Sequence, residues 1–408
     1  MHILYLSQYF PPEGGATQTR AYEMSRNLVL MGHQVTVITE LPNHPSGIIA
    51  PEFRGELFHR SILDGIDVIR VWVKTSPRMN FINRILFYFS YMTASSLAGF
   101  FLDRRCYDLI YASSPPLFVG VAGLFLSWKM RIPLIFEVRD LWPESAIALG
   151  ELAHPLAIRW AYRLERACYS QAKKIIVVTQ GIFDNLIQRG IPEEQLSLIP
   201  NGANTDLFQF HPEARARIRD KMAWNENFVV VYAGIHGIAQ GLEYIVDTAR
   251  LLEHDSRVHF VLIGDGPQKR NIVDLVQRYK LTNLTFINEQ PREVIPNYLS
   301  AADVALIPLR NLDIFKGALP SKIFDAWACN LPVIISIDGE ARYLIEIAEG
   351  GIYVPPEDMD SLKSAILSLL EDPARRIQLG ANGRKFTEIH FTRKALAEKL
   401  AQTIESII

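Results

Sequence analysis

The sequence predicts an α/β protein made of two Rossmann-like, doubly wound parallel-sheet domains that face each other across a cleft. Three observations support this prediction. Short apolar strands alternate with helical patterns along most of the chain, starting with β–loop–α–β over residues 1–38. The same layout begins again at residues 228–252. A chain of 408 residues is long enough for two domains with separate cores.

Composition and charge narrow the function classes. Apolar residues make up 49% of the chain and charged residues 21%, which is ordinary for a globular protein. A formal net charge of −2 gives no general attraction to nucleic acid. The scattered cysteines, Cys106, Cys168 and Cys329, lack metal-ligand spacing and predict buried thiols in a reducing compartment. The apolar start over residues 1–6 is too short for a signal peptide and predicts a first strand.

Two loops of the first half carry candidate ligand residues. Gly14 and Gly15 follow the first predicted strand and precede a helical pattern. Small residues at such a position let backbone N–H groups approach a phosphate or a sugar. The loop over residues 40–47 holds Asn43 and His44 between prolines. A lone loop histidine is more often a surface residue than a catalyst, so this second loop is open to both interpretations.

An uncharged run of eighteen residues, 85–102, is flanked by Arg84 on one side and by Arg104 and Arg105 on the other. Its length permits a spanning helix. Its serines, threonine and glycine, and its place inside the alternating α/β pattern, argue against spanning. We expect a helix that is partly buried in the first domain and whose aromatic and basic edge touches a bilayer surface. The alternative is a helix wholly internal to the core.

Charged residues follow a buried strand near the middle of the first half. The predicted strand 133–138 runs into Arg139, Asp140 and Glu144. Charges at the end of a buried strand must be solvated or paired, and the carboxyl ends of strands in an open α/β sheet face the ligand crevice. These side chains are therefore candidates for a ligand site. The alternative is that Arg139 and Asp140 pair with each other and brace the loop.

The second half is separated from the first by a predicted linker region at residues 198–208. Three of its predicted strands run into loops at residues 233–241, 264–267 and 288–292. The first two loops are rich in glycine, which allows close backbone approach to a ligand. By the geometry of a doubly wound sheet, all three loops belong to the ligand-binding edge.

The segment 316–336, KGALPSKIFDAWACNLPVIIS, carries the strongest candidate site. It has the pattern of a loop, a short amphipathic helix and an apolar strand. We predict Ser321 at the N-cap, Lys322 in the first turn and Asp325 on the same face. A helix N-terminus favours anions, so Lys322 suits a diphosphate and Asp325 a ribose diol. The alternative is an ordinary αβ unit with a solvated Lys–Asp pair.

Taken together, seven segments resemble the retaining nucleotide-sugar glycosyltransferases of group one, family four, which have the two-Rossmann GT-B fold. They are PPEGGATQTR, LMGHQVTVIT, VVTQGIFDNL, LIPNGANTDLF, VLIGDGPQKRNI, NYLSAADVALIPL and PSKIFDAWACNLPVIIS. The resemblance covers nearly the whole chain. The loops ELPNHPSG and FEVRDLWPES look like the branch that adds amino sugars, such as N-acetylfucosamine, during bacterial O-antigen and capsule synthesis.

The chain departs from this family at several site positions. The family usually has an arginine and a lysine in the loop after the first strand of the second domain, where this chain has Ile235 and Gln240. The first position of the family's paired-glutamate motif is Gly317, and the second is Asp325, which suits the ribose. Arg139 stands where many members have a histidine over the sugar.

These departures leave Lys322, supported by Arg139, to neutralise the donor diphosphate. The resemblance implies transfer of a sugar, with retention, from a UDP-linked donor to a hydroxyl of a lipid-linked saccharide. Such transfer needs little acid–base apparatus because the leaving diphosphate can accept the proton of the acceptor. The sequence has no DxD-like pair in a matching loop, so we expect no obligatory metal, no cofactor and no nucleic-acid partner.

Other functions stay open at this stage. A sucrose-phosphate-synthase-like enzyme would transfer the sugar to a sugar phosphate. A nucleotide-sugar 2-epimerase would need acid–base carboxylates and no second substrate. A catalytically silent, nucleotide-binding partner in a polysaccharide assembly complex is compatible with the residues at positions 235, 240 and 317.

The expected roles and boundaries are as follows. The catalytic candidates are Lys322, Arg139 and Asp140. The donor-binding candidates are Gly15, Gly237, Gln240, Gly264, Asp265, Gly266, Glu289, Gln290, Ser321 and Asp325. The acceptor-binding candidates are Asn43, His44 and Glu144. We expect an acceptor domain at 1–200, a donor domain at 201–385 and a C-terminal helix, 386–408, that returns to the first domain. The expected location is cytoplasmic, on the inner face of the cell membrane.

Overall fold

The computed structural model describes residues 1–43, 46–77 and 81–407. These residues form two compact units. The first unit comprises Met1–Pro200 with Leu396–Ile408, and the second comprises Asn201–Ala395. The chain therefore leaves the first unit at residue 200 and returns to it near its end.

The first unit has a mixed sheet surrounded by helices. Its strands are β1 His2–Leu6, β2 Gln34–Glu40, β3 Phe58–Leu63, β4 Ile66–Val71, β5 Leu109–Ser113, β6 Leu134–Val138, β7 Lys174–Val177 and β8 Leu196–Leu198. Its helices are α1 Ala16–Leu30, α2 Phe81–Phe100, α3 Phe118–Met130, α4 Glu144–Ala148, α5 Pro155–Gln171 and α6 Gln180–Gln188.

The second unit has the same alternation. Its strands are β9 Phe228–Ala233, β10 Val258–Ile263, β11 Leu284–Ile287, β12 Val304–Pro308, β13 Val333–Ser336 and β14 Gly351–Tyr353. Its helices are α7 Pro212–Lys221, α8 Glu243–Leu251, α9 Lys269–Tyr279, α10 Ile295–Ala301, α11 Lys322–Ala328, α12 Glu340–Ala348, α13 Met359–Glu371 and α14 Pro373–His390. The last helix is α15, Arg393–Glu405.

Both sheets confirm the predicted fold class of Rossmann-like, doubly wound α/β units. The second sheet is wholly parallel and has the order β11-β10-β9-β12-β13-β14. The first has the order β3-β4-β2-β1-β5-β6-β7-β8, in which only the β3–β4 pair is antiparallel. The strand order reverses between β1 and β5 and between β9 and β12. In such sheets, ligands bind beyond the carboxyl ends of the strands at this switch point.

The C-terminal boundary differs from the predicted one. Residues 385 and 386 lie inside α14, which packs in the second unit, and not at the start of a returning helix. The return is made by α15, whose Leu400 and Ile404 are fully buried in one cluster with Ile3 and Tyr5 of the first strand. The helical pattern of the sequence did not show the break between α14 and α15.

One further expectation was wrong, and one structural element was not predicted. Cys106 is exposed, whereas Cys168 and Cys329 are buried as predicted. The hairpin of β3 and β4 was not predicted from the sequence. On β3 exposed and half-buried residues alternate, since this strand is the edge of the sheet and leaves one face open to solvent.

Helix α2 covers most of the uncharged run that the sequence marked. Its Phe87, Tyr91 and Ser95 are buried against the sheet, so the helix contributes to the core of the first unit. Neither α2 nor any other helix in the described ranges combines the length and the hydropathy that crossing a bilayer requires.

A buried ion pair ties α1 to the sheet of the first unit. The Arg20 Nε donates to Glu137 Oε1 at 2.8 Å, and both side chains are fully buried. The other Arg20 nitrogens donate to the carbonyls of Ile199 and Pro200. Burial alone would raise the pKa of Glu137, but the Arg20 guanidinium beside it holds that pKa below its ordinary value. Arg20 thus holds residues 199 and 200, where the chain leaves the first unit, next to strand β6.

Removal of one partner from this pair should be costly. Arg20→Met removes the ion-pair partner of the buried Glu137 carboxylate, and we expect the free energy of unfolding to fall by about 3–5 kcal/mol. Urea denaturation followed by circular dichroism measures this loss. Arg60→Met, which breaks the solvent-exposed pair with Asp67 at 2.8 Å, is the matched control and should cost less than about 1 kcal/mol. Equal effects of the two variants would contradict this account of the pair.

Candidate functional site

The loops that follow β9, β10 and β11 are joined by backbone hydrogen bonds at the carboxyl edge of the second sheet. Gly234 N donates to the carbonyl of Ile263, and His236 N donates to the carbonyl of Asp265 at 2.8 Å. Gly264 N donates to the carbonyl of Ile287. The three loops therefore form one continuous surface, which is where a doubly wound sheet binds its ligand.

Glycine is required where these loops approach most closely. Gly264 and Gly266 have φ angles of 139° and 152°, which side chains rarely allow. A Cβ on Gly264 would overlap the carbonyl of Gly234, and one on Gly266 would lie 2.6 Å from the carbonyl oxygen of His236. The predicted donor loop is therefore shaped by the absence of side chains at these two positions.

Lys322, the first residue of α11, reaches into this surface. Its Nζ donates to the Tyr232 hydroxyl at 2.7 Å and lies 4.0 Å from the centroid of the same ring. The Tyr232 hydroxyl donates in turn to the carbonyl of Ile235 at 2.6 Å. A Cβ on Gly234 would overlap the Lys322 ammonium. Tyrosine and glycine thus hold the ammonium at the end of β9, next to the switch point.

Burial makes this ammonium unusual. It lowers the pKa of Lys322 to about 7, although the negative charge of Asp325 acts in the opposite direction. The half-buried amine therefore exchanges its proton near neutral pH. A neutral hydroxyl, rather than a carboxylate, accepts its hydrogen bond, and an ammonium has three donors to offer. An anion that approached it would meet a cation whose charge is only partly compensated.

Other cations at this edge are held by acids. Lys269 donates to the Gly264 carbonyl at 2.9 Å and to Asn288 Oδ1 at 2.8 Å, and it lies 3.5 Å from Asp265. Its ammonium thus links the loops after β10 and β11. Arg310, which follows β12, forms ion pairs with Glu243 and Glu357. These two cations stabilise the loops, whereas the Lys322 ammonium donates to a neutral hydroxyl.

Asp325 has a partner that the sequence did not predict. Asp325 forms an ion pair with Arg292, whose Nη2 lies 3.6 Å from its Oδ1. Arg292 comes from the loop after β11, and its guanidinium lies 4.6 Å from the centroid of the Phe208 ring. The sequence did not indicate Arg292, because its contact with Asp325 depends on the packing of a loop against α11.

Ser321 lies at the N-cap position of α11, but its side chain makes no capping hydrogen bond. Its backbone has the helical conformation, so the hydroxyl does not point back over the first turn as the capping prediction required. The helix has only seven residues, and its dipole is correspondingly weak. The charge of Lys322, rather than the helix end, is therefore the main attraction for an anion.

The remaining donor candidates lie on the same edge. The Gln240 side chain folds over Gly237, where an added Cβ would lie 2.5 Å from Gln240 Oε1. Asp265 is exposed and accepts a hydrogen bond from Gly266 N at 2.7 Å. Glu289 is also exposed, and the Gln290 amide donates to the carbonyls of its own loop. Their positions agree with a ligand-facing edge, and their roles in donor binding stay predictions.

His236 was not indicated by the sequence analysis. It is fully buried among the three loops, and burial, with the charges of Lys269 and Lys322, lowers its pKa to about 4. Its ring lies 6.0 Å from that of Tyr232 and 6.5 Å from that of Phe286. A neutral, buried imidazole here acts as packing between the loops. A single loop histidine carries no sequence signal for such a role.

In the first unit, Arg139 follows β6 at the carboxyl edge of the sheet. Its Nη2 donates to the carbonyl of Ala16 at 3.1 Å, so it contacts the glycine-bearing start of α1, where Gly15 has a φ of 135°. Among the described residues, its Nε and Nη1 are buried without a hydrogen-bond partner. Asp140 accepts from the Ser145 hydroxyl at 2.7 Å. The proposed Arg139–Asp140 brace is therefore absent from the described residues.

The acceptor candidates have different surroundings. The Asn43 side chain donates to Glu40 at 2.8 Å, and its backbone N donates to Glu13 at 2.5 Å. Burial and the charge of Glu13 raise the pKa of Glu40 well above its ordinary value. A pocket of about 370 Å³ is lined by residues that include Glu13, Asn43 and Arg54. His44 lies outside the described residues.

Glu144, the third acceptor candidate, is engaged with protein groups. It lies 3.2 Å from Arg189, which also pairs with the buried Glu165. Burial and the charge of Glu165 raise its pKa. This cluster joins α4, α5 and α6, so Glu144 has a stabilising contact that the sequence did not predict. Across the described residues, no three His, Cys, Asp or Glu side chains converge closely enough to hold a metal ion.

Comparison with known proteins agrees with this geometry. Residues 15–202 match the family model described as a glycosyl transferase 4-like domain, and residues 214–386 match that of glycosyl transferases group 1. Between them, the two models cover most of the chain. The putative colanic acid biosynthesis glycosyl transferase WcaI of Escherichia coli (strain K12) is 22% identical over 91% of this chain and 92% of its own length.

Solved structures show the same fold. Sucrose-phosphate synthase from Thermosynechococcus elongatus has a TM-score of 0.76 at 23% identity, with 100% of this chain and 98% of that chain covered. Anabaena Alr3699/HepE in complex with UDP-glucose has a TM-score of 0.76 at 19% identity, with both chains fully covered. The two family models together show that the chain belongs to the group 1 glycosyltransferases, and the solved structures show that its fold is GT-B.

Proposed function

We propose that the protein transfers a sugar, with retention, from a UDP-linked donor to a hydroxyl of a lipid-linked saccharide in cell-surface polysaccharide synthesis. The observation that carries the proposal is the Lys322 ammonium, held by Tyr232 at the switch point of the second sheet. A diphosphate is the group that such a cation would bind. The name of the WcaI relative, which refers to colanic acid biosynthesis, supports a polysaccharide acceptor.

The chemistry follows from where charge develops. As the bond between the sugar and the diphosphate breaks, negative charge builds on the leaving phosphate. Lys322 stabilises this charge more strongly in the transition state than in the ground state, and this difference lowers the barrier. The leaving diphosphate accepts the proton of the acceptor hydroxyl. In this mechanism, the protein supplies position and charge rather than a general base.

Donor recognition uses the other groups at the same edge. Asp325, oriented by Arg292, is proposed to accept from the ribose hydroxyls. The exposed loop with Glu289 and Gln290 is proposed to hold the base, and the Gly264–Gly266 turn allows the donor to approach the backbone. Arg139 is proposed as an anion-binding group of the first unit, because two of its donors have no partner there. No metal is required in this mechanism.

A second acceptor class is supported by one observation. The sucrose-phosphate synthase of Thermosynechococcus elongatus shares the fold over the whole chain, and its name refers to a phosphorylated product. Transfer to a sugar phosphate would use the same donor site. The identity of the acceptor therefore decides between the two forms of the proposal.

The central experiment supplies a panel of UDP-sugars with a lipid-linked saccharide or with a hexose phosphate, in the presence of EDTA. We expect acceptor-dependent release of UDP with the lipid-linked acceptor and a product whose anomeric configuration, measured by NMR, matches that of the donor. Isomerised donor without acceptor would indicate a 2-epimerase. UDP binding without turnover would indicate a silent partner. Loss of turnover on EDTA treatment would contradict the metal-free mechanism.

Substitution of Lys322 tests the proposed catalytic group. Lys322→Ala removes a contact that gains strength in the transition state, so we expect kcat to fall about a hundredfold, with a smaller change in UDP affinity. Asp325→Asn should instead raise the donor KM, because it weakens a charge-assisted hydrogen bond to the ribose. Steady-state kinetics separates the two effects. Near-normal turnover of Lys322→Ala would assign the phosphate contact to another residue.

The pKa of Lys322 predicts how donor binding depends on pH. Because the free amine titrates at about 7, UDP binding at pH about 8 should be accompanied by uptake of a proton, and affinity should fall as the pH rises further. Calorimetry in buffers of different ionisation enthalpy measures this uptake. Lys322→Arg, which stays charged, is the matched control and should show none. Equal proton uptake by both proteins would refute the assignment.

The same pKa has a separate effect on the unliganded protein. The unfolded lysine keeps its proton up to a pH of about 10.4, whereas the folded one loses it near 7. Between these values the unfolded state binds more protons, so the contribution of Lys322 to the free energy of unfolding rises with pH. In the unliganded protein, Lys322 therefore contributes least to the free energy of unfolding at low pH, where its amine is charged.

A further inference from the structure

Helix α2 has two apolar faces, and only one of them is covered. Phe87, Tyr91 and Ser95 are buried, as is usual for a helix on a sheet. On the opposite side, exposed apolar residues recur at helical spacing from Leu86 and Phe89 to Leu97 and Phe100. A surface helix normally carries polar residues on this side. The second apolar face is therefore not explained by the core of the first unit.

Helix α3 extends this apolar surface. Gly99 of α2 lies so close to α3 that an added Cβ would be 2.5 Å from the Leu126 side chain, so the two helices are in close contact. The outward residues Phe125 and Trp128 continue the surface, and the ring centroids of Phe100 and Phe125 are 6.5 Å apart. The exposed fractions of Phe101 and Trp128 are 77% and 76%.

We call this surface the α2–α3 apolar face and define it by Phe89, Leu97, Phe100, Phe101, Phe125 and Trp128. It contains a groove of about 520 Å³ lined mostly by apolar side chains, including Leu97, Phe100 and Phe125, together with the hydroxyl-bearing Thr93 and Ser96. Its volume is in the range of about 300–1,000 Å³ that small-molecule pockets occupy. Monomeric soluble proteins rarely expose a continuous apolar surface of this kind without a partner.

Basic residues border this face. Arg104 and Arg105 follow the C-terminal end of α2, and Lys129 and Arg131 lie at the C-terminal end of α3. The Lys129 ammonium lies 4.1 Å from the centroid of the Phe100 ring, which brings the two ends together. Residues 81–131 contain five Arg or Lys and two Asp, whereas the whole chain has a net charge of −2. Two of the five form ion pairs, Arg84 with Glu151 and Arg105 with Asp103. Positive charge is therefore concentrated beside the apolar surface.

We propose that the α2–α3 apolar face docks the protein on an anionic phospholipid bilayer, with a lipid hydrocarbon chain in the groove. Aromatic rings and aliphatic side chains would enter the interfacial layer, while the basic border would meet phosphate head groups. This proposal goes beyond the sugar-transfer reaction and does not depend on it. A second copy of the chain is a poorer partner, because a symmetric contact through this face would bring the basic borders together.

Flotation with vesicles tests the proposal on the full-length protein. We expect binding to vesicles that contain phosphatidylglycerol, weaker binding to phosphatidylcholine alone, and release as NaCl is raised, because salt screens the head-group attraction. The double variant Leu97→Ser/Phe101→Ser should reduce partitioning at least about tenfold. Both positions are exposed, so the variant should fold, and an unchanged circular dichroism spectrum and urea denaturation midpoint would show this.

A matched control is available on the second unit. Tyr343 and Ile347 are exposed apolar residues of α12, and Tyr343→Ser/Ile347→Ser should leave vesicle binding unchanged. Equal binding by wild type and the Leu97→Ser/Phe101→Ser variant would overturn the proposal. So would a wild-type protein that fails to float and instead forms dimers that this variant dissociates, since a protein partner would then occupy the face.

Fluorescence quenching locates the contact. Phospholipids with brominated acyl chains should quench Trp128, and Trp128→Phe should remove that part of the quenching while vesicle binding stays, because phenylalanine keeps the apolar contact. Quenching that is identical in wild type and Trp128→Phe would mean that another surface touches the lipid. Failure of vesicle binding with normal acceptor-dependent release of UDP would remove this proposal alone and leave the proposed function intact.

Discussion

Desolvation of one ammonium is the constraint on which the candidate site of the second unit depends. An ammonium loses hydration when it is buried, and only a specific set of neighbours makes the position tolerable. Tyr232 supplies an oxygen and a ring face, and Gly234 leaves room beside the strand end. The hydrogen bonds among the three loops keep these neighbours in place. These contacts thus fix the position of the ammonium in the unliganded protein.

The first unit stabilises its buried charges in another way. Arg20 and Glu137 neutralise each other, and the Tyr111 and Ser113 hydroxyls donate to the same carboxylate. This cluster lies at the carboxyl edge of its sheet but has most of its hydrogen-bonding capacity occupied. Arg139, beside it, keeps two donors unused. The contrast between satisfied and unsatisfied charges separates groups that stabilise the fold from groups that are available to a ligand.

Much of the fold was predictable because buried parallel strands are continuous apolar runs, and the loops at their ends carry glycine. The hairpin of β3 and β4 was not predicted, because exposed and half-buried residues alternate along its edge strand. Two of the exposed residues, Phe58 and Ile62, are themselves apolar. At the site, the position of Lys322 was predictable from its local pattern. Its partner Tyr232 was not, because ninety residues separate the two and only the sheet brings them together. Arg292 was not predictable either, because its contact with Asp325 depends on the packing of a loop against α11.

The route of the chain has a consequence for the order in which the protein forms during synthesis. Helix α15 supplies Leu400 and Ile404 to the core around β1, yet these residues are made almost four hundred positions after that strand. A ribosome completes every residue of the second unit before it adds this part of the first. The second unit is therefore made in full while the core around Ile3 and Tyr5 still lacks the Leu400 and Ile404 side chains. Until α15 arrives, the half that was made first is the half that needs protection from aggregation.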